Sequence, residues 1–249
     1  MTPPKTVSII GYKDSGKTSV AEALIKELTE RGSKVVSLKH TAEDVELDTP
    51  GKDTERHRKA GAKATGILHD KAGAIFYDYP LLLRDSASKL GNADYLVIEG
   101  FKTVKSHARL IVPREKEEIE KLSAGLELAI INLHSLEIET DLPLLSISDI
   151  REIADLVEKK SYPMLPEMNC GGCGYDSCLE MGKAILRGER ASLDCIFYKT
   201  DFTLKVNDKD IPVGHFVRNA MENVVLGFIK TLKGGESAKK VELEFRIDE

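Results

Sequence analysis

The stretch "GYKDSGKT" at positions 11–18 constrains the fold of this chain more than any other. Gly11, Gly16, Lys17 and Thr18 satisfy the pattern G-x-x-x-x-G-K-[ST]. They lie between a β-branched run, Val7 to Ile10, and "TSVAEALIKELTERG", whose apolar residues recur at helical spacing. A strand that turns through glycines into a helix aims consecutive backbone N–H groups at one point, where the helix dipole also favours negative charge. That is a phosphate cradle. Its expected contacts run through Gly11, Tyr12, Lys13, Asp14, Ser15, Gly16 and Ser19, with Lys17 on the β- and γ-phosphates and the Thr18 hydroxyl on Mg²⁺. The alternative, a glycine-rich turn without a ligand, is a poor match for a loop with a strand before it and a helix after it.

The surrounding pattern extends this unit into a domain. "KVVSLKH" (34–40) reads as a second strand, which makes a βαβ unit, and further candidate strands follow at 63–69, 73–79, 94–100, 108–114 and 126–132. Helical stretches are expected near 53–61, 80–90, 115–123 and 148–160. Near-continuous apolar strands alternating with helices predict an α/β fold over residues 1–160, a mostly parallel sheet with helices on both faces.

Composition narrows the partners. With 36 basic and 41 acidic residues among 249, the chain has no basic stripe to neutralise a phosphate backbone, so nucleic acid is not an expected partner. Apolar runs fall short of the ~20 residues a membrane span needs. The start, "MTPPKTVSII", runs directly into a strand rather than a signal-peptide core, so a cytoplasmic setting is expected, where clustered thiols bind metal more often than they form disulfides.

A Mg²⁺-nucleotide site also takes an acid from a neighbouring strand end. "YLVIEG" (95–100) delivers Glu99 there, as a metal-facing or catalytic carboxylate alongside Lys17; Asp48 competes for the metal, and an acid at a strand end can also simply face water. The guanine-reading N-K-x-D pattern is absent, so the residues alone leave the base open.

All four cysteines fall near the other end, as Cys170, Cys173, Cys178 and Cys195 in the spacing C-x2-C-x4-C-x16-C. Four thiolates suffice for one [4Fe–4S] cluster, three from one glycine-rich loop and one returning after a helix at 178–189. Zinc is the alternative, although structural zinc sites more often pair two short knuckles. Three units are therefore expected: the phosphate-binding domain at 1–160, a cysteine segment at 161–198 entered through the proline-bearing linker 161–169, and a small α+β unit at 199–249. The last unit reads as a hairpin turning at Asn207-Asp208, a helix over 215–233 whose apolar stripe covers the small sheet, and a strand at 239–247.

The stretch "LKHTAEDVELDTPGKDTERHRKAGA" (38–62), taken with the phosphate loop and "VIEGFK" (97–102), resembles the MobB family of P-loop GTP-binding proteins of molybdopterin guanine dinucleotide biosynthesis. The resemblance covers residues 5–160. It implies GTP as ligand, a homodimer, and an accessory role to the guanylyltransferase that joins GMP to molybdopterin. It further implies that Gly11 to Thr18 bind phosphate, that Glu99 and Asp48 face the metal, and that Lys52, Asp53 and Arg56 line the surface where the pterin or the partner enzyme approaches. Family members commonly carry more histidines after His40, where this chain has Ala42 and Glu43. The cysteine element is similar to the four-cysteine [4Fe–4S] domain of electron-transfer and corrinoid proteins. The leading expectation is a GTP-binding accessory protein of molybdenum or tungsten cofactor maturation, at most a slow GTPase, carrying an iron–sulfur module. Two alternatives are a nucleotide-driven metal-insertion or electron-transfer factor, and a non-enzymatic GTP-dependent docking module whose cluster is structural.

Overall fold

The computed structural model describes residues 3–43, 45–198, 202, 204–207, 209–211 and 213–244. Six parallel strands run in the order β2 (Val35–Lys39), β5 (Tyr95–Glu99), β1 (Lys5–Ile10), β6 (Ala108–Ile111), β7 (Glu127–Ile131) and β8 (Leu144–Leu145). The central strands are apolar on consecutive residues because both faces are covered. Val7, Ile9 and Val97 face α1 (Lys17–Glu30) and α5 (Ile150–Lys160), which contribute Val20, Leu24, Leu28, Ile153 and Val157 to one core. Alternate residues face the other way. Leu96 and Ile98 meet α3 (Leu83–Lys89), while Ile10, Ile111 and Ile130 meet α4 (Glu117–Leu122). The α/β architecture expected from the sequence is present. No helix among the described residues is long and apolar enough to cross a membrane.

Strands 63–69 and 73–79 do not join that sheet. As β3 (Ala64–His69) and β4 (Ala72–Tyr77) they pair antiparallel with each other alone, following α2 (Asp53–Lys59). Their connection, Asp70-Lys71, explains this: two residues close an antiparallel hairpin, whereas a parallel neighbour needs a crossover of a dozen or more. The hairpin leaves Ile67, Leu68 and Ile75 exposed.

The stretch 161–169, expected as a linker, is instead built into the main body. Tyr162–Pro163, as β9, pairs antiparallel with Thr6 and Lys5 at the start of β1, and Tyr162 and Leu165 are buried. Leu165 N–H donates to the Ser106 carbonyl at 2.8 Å. Its prolines end α5, but the apolar residues between them have a core to enter. The cysteine helix α6 (Cys178–Leu186), capped by Ser177 accepting from Glu180 N–H at 3.2 Å, buries Cys178 and Met181 in that same core.

The C-terminal unit departs further. Lys205–Val206 (β10) and Lys209–Asp210 (β11) form the expected hairpin, and α7 (His215–Ile229) follows. The apolar stripe of α7 does not cover that hairpin: Phe216, Val217, Val224 and Phe228 are exposed. Strands of two residues span about 7 Å, too little surface for a helix of about 22 Å. Residues 239–244 form no strand, and the rest of the expected strand at 239–247 lies outside the described residues.

Candidate functional site

β1 delivers Gly11 to the edge of the sheet where the parallel strands end. A Cβ at Gly11 would lie 2.4 Å from the Val112 carbonyl oxygen and 2.5 Å from Ser15 Oγ, so only glycine lets the loop turn this tightly against β6. Gly16, at φ 90, precedes the first turn of α1 in a left-handed conformation. Ser15 is fully buried beneath the loop. Lys17 Nζ folds back to donate to the Tyr12 carbonyl and, at 3.4 Å, to Ser15 Oγ.

Thr18 Oγ1 donates to Glu99 Oε1 at 3.0 Å, and Lys39 Nζ is 3.1 Å from the same oxygen. Strand register sets this up: Glu99 ends β5, with Ile9 of β1 opposite it on one side and Lys39 of β2 opposite on the other. Burial pushes the Lys17 ammonium down; Glu99 opposes this, and Lys102 and Lys39 add to it. Lys102 Nζ also stands 4.1 Å from the Tyr12 ring centroid. Lys17, Lys39 and Lys102 thus gather with one carboxylate, Glu99, at a helix N-terminus, a charge distribution suited to a polyphosphate. Thr18 and Glu99 are hard oxygen donors held side by side, which fits Mg²⁺. Sequence reasoning passed over Lys39 and Lys102 as site residues; the available signal was their place at the strand ends beside His40 and Glu99.

Not every candidate joins them. Asp48 makes no hydrogen bond or ion pair with Lys17, Thr18 or Glu99; its Oδ1 accepts from Thr49 N–H at 2.8 Å and its Oδ2 is buried without a partner. Lys52, Asp53 and Arg56 stand exposed at the start of α2, with Arg56 3.6 Å from Asp53. Lys13, at the loop's outer edge, pairs with Glu43 at 2.5 Å. His40 packs its ring 4.3 Å from that of Phe101.

At the far end, Asn169, Gly171 and Gly174 all take positive φ. Cys178 N–H donates to Asn169 Oδ1 at 2.8 Å. Cys178 and Cys195 are buried, Cys170 and Cys173 half-buried, and all four are free thiols. Burial pushes the Cys195 thiol up, a Phe197 backbone hydrogen bond opposes that, and Cys178, Cys173 and Cys170 are near enough to push it further. The four are therefore neighbours. Among the described residues, however, no three His, Cys, Asp or Glu side chains converge at metal-ligating geometry. By donor type alone, four soft thiols suit an iron–sulfur group, and they suit zinc as well.

The fold and the loop define a protein of the P-loop NTPase fold class. Within that class the chain belongs to the molybdopterin guanine dinucleotide synthesis protein B family, MobB, whose model matches residues 6–134. A second model, "Putative Fe-S cluster", matches residues 165–197. A Methanocaldococcus jannaschii protein named "Putative molybdopterin-guanine dinucleotide biosynthesis adapter protein" is 34% identical over 245 residues, 98% of each chain. The Escherichia coli K12 molybdopterin-guanine dinucleotide biosynthesis adapter protein is 30% identical over 165 residues, 61% of this chain and 90% of that one. The crystal structure of Bacillus subtilis MobB superposes with a TM-score of 0.54 at 27% identity, covering 64% of this chain and 98% of that one.

Proposed function

We propose that this chain is a cytoplasmic GTP-binding adapter of molybdopterin guanine dinucleotide biosynthesis, which presents nucleotide to a guanylyltransferase and carries a [4Fe–4S] cluster on Cys170, Cys173, Cys178 and Cys195. The observation that carries the nucleotide half is the Thr18–Glu99 hydrogen bond at 3.0 Å beside Lys17, at the N-terminus of α1. Amides of residues 13–19 and Lys17 would hold the phosphates, and Thr18 and Glu99 the Mg²⁺, which when bound supplies charge neutralisation at the β- and γ-phosphates. The relatives' names support the pathway. The exposed face of α2, with Lys52, Asp53 and Arg56, is the proposed approach for the pterin or the partner enzyme. The exposed apolar hairpin β3–β4 supports a homodimer, since Leu68 at 87% exposure and Ile75 at 63% are costly to leave in water.

One observation favours a second reading, in which nucleotide state acts on the cluster. The turn after Glu99 is tied to the chain leading to Cys170, through Leu165 N–H to the Ser106 carbonyl at 2.8 Å and Lys105 N–H to Glu167 Oε1 at 3.2 Å. The deciding experiment is anaerobic purification with iron, sulfide and zinc analysis, followed by GTP and ATP affinities in Mg²⁺. Equal affinities or no binding sink the GTP adapter, and zinc in place of iron and sulfide sinks the cluster. A reduced-cluster spectrum that changes when GTP is added selects the second reading.

A further inference from the structure

A cleft of about 370 Å³ opens at the end of the sheet opposite the phosphate loop, between the C-terminal ends of α5 and α6. Its wall carries Lys159, Lys160, Arg187 and Arg190, together with Ser161 and Tyr162. Tyr162 pairs with Thr6 at the start of β1, whereas Gly11 follows its end, so about 17 Å of strand separates the two sites.

Ser161 is 5% exposed and its hydroxyl has no hydrogen-bond partner, although burying a hydroxyl unpaired is costly. Lys159 and Lys160 are exposed and have no carboxylate partner among the described residues. Arg187 is held from outside the cleft by Glu189, at 2.6 and 2.9 Å, and the Arg190 guanidinium stands 5.8 Å from the Tyr175 ring centroid. No acid is among the residues lining the cleft. Glu189 offsets the charge of Arg187, and two helix C-termini contribute about half a negative charge each, so Lys159, Lys160 and Arg190 still leave the cleft net positive. Ile185 and Leu186, at the end of α6, add an apolar part to the lining. The volume is about ten times the ~30 Å³ share of one water, more than a bare oxyanion fills.

We propose that this cleft is a second anion site, taking the phosphate monoester of a small organic molecule: the dianion on Arg187, Arg190, the two lysines and the Ser161 hydroxyl, and the organic part against Ile185 and Leu186. A dianion recruits guanidinium forks and a hydroxyl donor together, and it satisfies the orphaned Ser161 oxygen. The site is independent of nucleotide binding.

The test uses the full-length Lys17→Ala variant, which silences the phosphate loop, titrated with ribose 5-phosphate and separately with inorganic phosphate at constant ionic strength, read by ³¹P line broadening. Saturable binding of the ester, at least as tight as inorganic phosphate, is expected. Adding Arg187→Gln with Arg190→Gln should weaken it at least about tenfold. Ser161→Ala should weaken it a few-fold while leaving the melting temperature unchanged or raised, because that substitution also removes a buried unpaired hydroxyl. A non-saturating response, exclusion of the ester while inorganic phosphate binds, or affinity unchanged by the arginine substitutions overturns the proposal. Melting curves of each variant establish that the fold is retained.

Discussion

Thr18 Oγ1 donates to Glu99 Oε1 at 3.0 Å across 81 positions of sequence. The bond joins the first turn of α1 to the end of β5, and it places a neutral and an anionic oxygen side by side next to Lys17. Glu99→Gln keeps an acceptor for Thr18 and removes the charge. GTP affinity measured in Mg²⁺ should fall about tenfold, while affinity in EDTA stays level. An equal loss in both conditions would mean that Glu99 shapes the loop and faces no metal.

Lys17→Ala removes an ammonium that folds back into the loop onto Tyr12 and Ser15. Loss of two charge-assisted bonds to phosphate predicts at least a hundredfold weaker GTP binding, or about 3 kcal/mol. Calorimetry checks this, and a tenfold or smaller loss would place the phosphates elsewhere.

Gly11 and Gly16 support the loop in different ways. At Gly11 an added Cβ meets backbone oxygen of Val112 at 2.4 Å, which cannot move without moving β6. Gly11→Ala should cost about 3 kcal/mol in urea unfolding. Gly16→Ala meets the flexible Leu133 Cδ1 and a left-handed φ of 90, and should cost about 1–2 kcal/mol. The reverse order would contradict the packing described at β6.

His107 is buried between Ser8 and Ser106: its Nε2 is bonded to Ser8 Oγ and its Nδ1 lies 3.2 Å from Ser106 Oγ. Burial, reinforced by the Arg109 charge, pushes its pKa down to about 3. A depressed histidine binds its proton more readily when unfolded, so its contribution is complete above the unfolded pKa near 6.5 and is lost as pH falls toward about 3. The melting temperature should therefore drop from pH 6.5 to pH 4 more steeply in the wild type than in His107→Gln. Parallel profiles would exclude this histidine as the cause.

The cysteines divide by burial. Cys178 and Cys195 belong to the main core, while Cys170 and Cys173 sit in the half-buried loop. Serine at any of the four should reduce bound iron. Serine at 178 or 195 should also lower the stability of the metal-free protein by about 1–2 kcal/mol, because it buries a hydroxyl where a thiol was. Equal stability across all four metal-free variants would contradict the packing of α6.

Much of the main sheet was legible because its strands are short apolar runs punctuated by glycine and helices, a pattern only a doubly covered parallel sheet explains. The phosphate loop was legible for the same local reason, since motif, strand and helix are contiguous. The hairpin β3–β4 was assigned to that sheet because an apolar run says nothing about which strand it pairs with. The two-residue connection carried that information. The stretch 161–169 reads as a linker because prolines advertise a break in helix, while Tyr162, just before the first proline, and Leu165, between the two, find a core only in three dimensions.

By itself, the sequence determined the α/β class, the helix that follows the phosphate loop, and the four thiols as a group, since each depends on residues within a few turns of one another. Tertiary structure alone decided that Lys39 and Glu99 share an oxygen-lined corner with Thr18, that β9 welds the cysteine segment to β1, and that four cations and an orphaned serine face one cleft. The reason is that register and packing join residues by free energy of burial and pairing over the whole chain, and those distances leave no trace in local spacing.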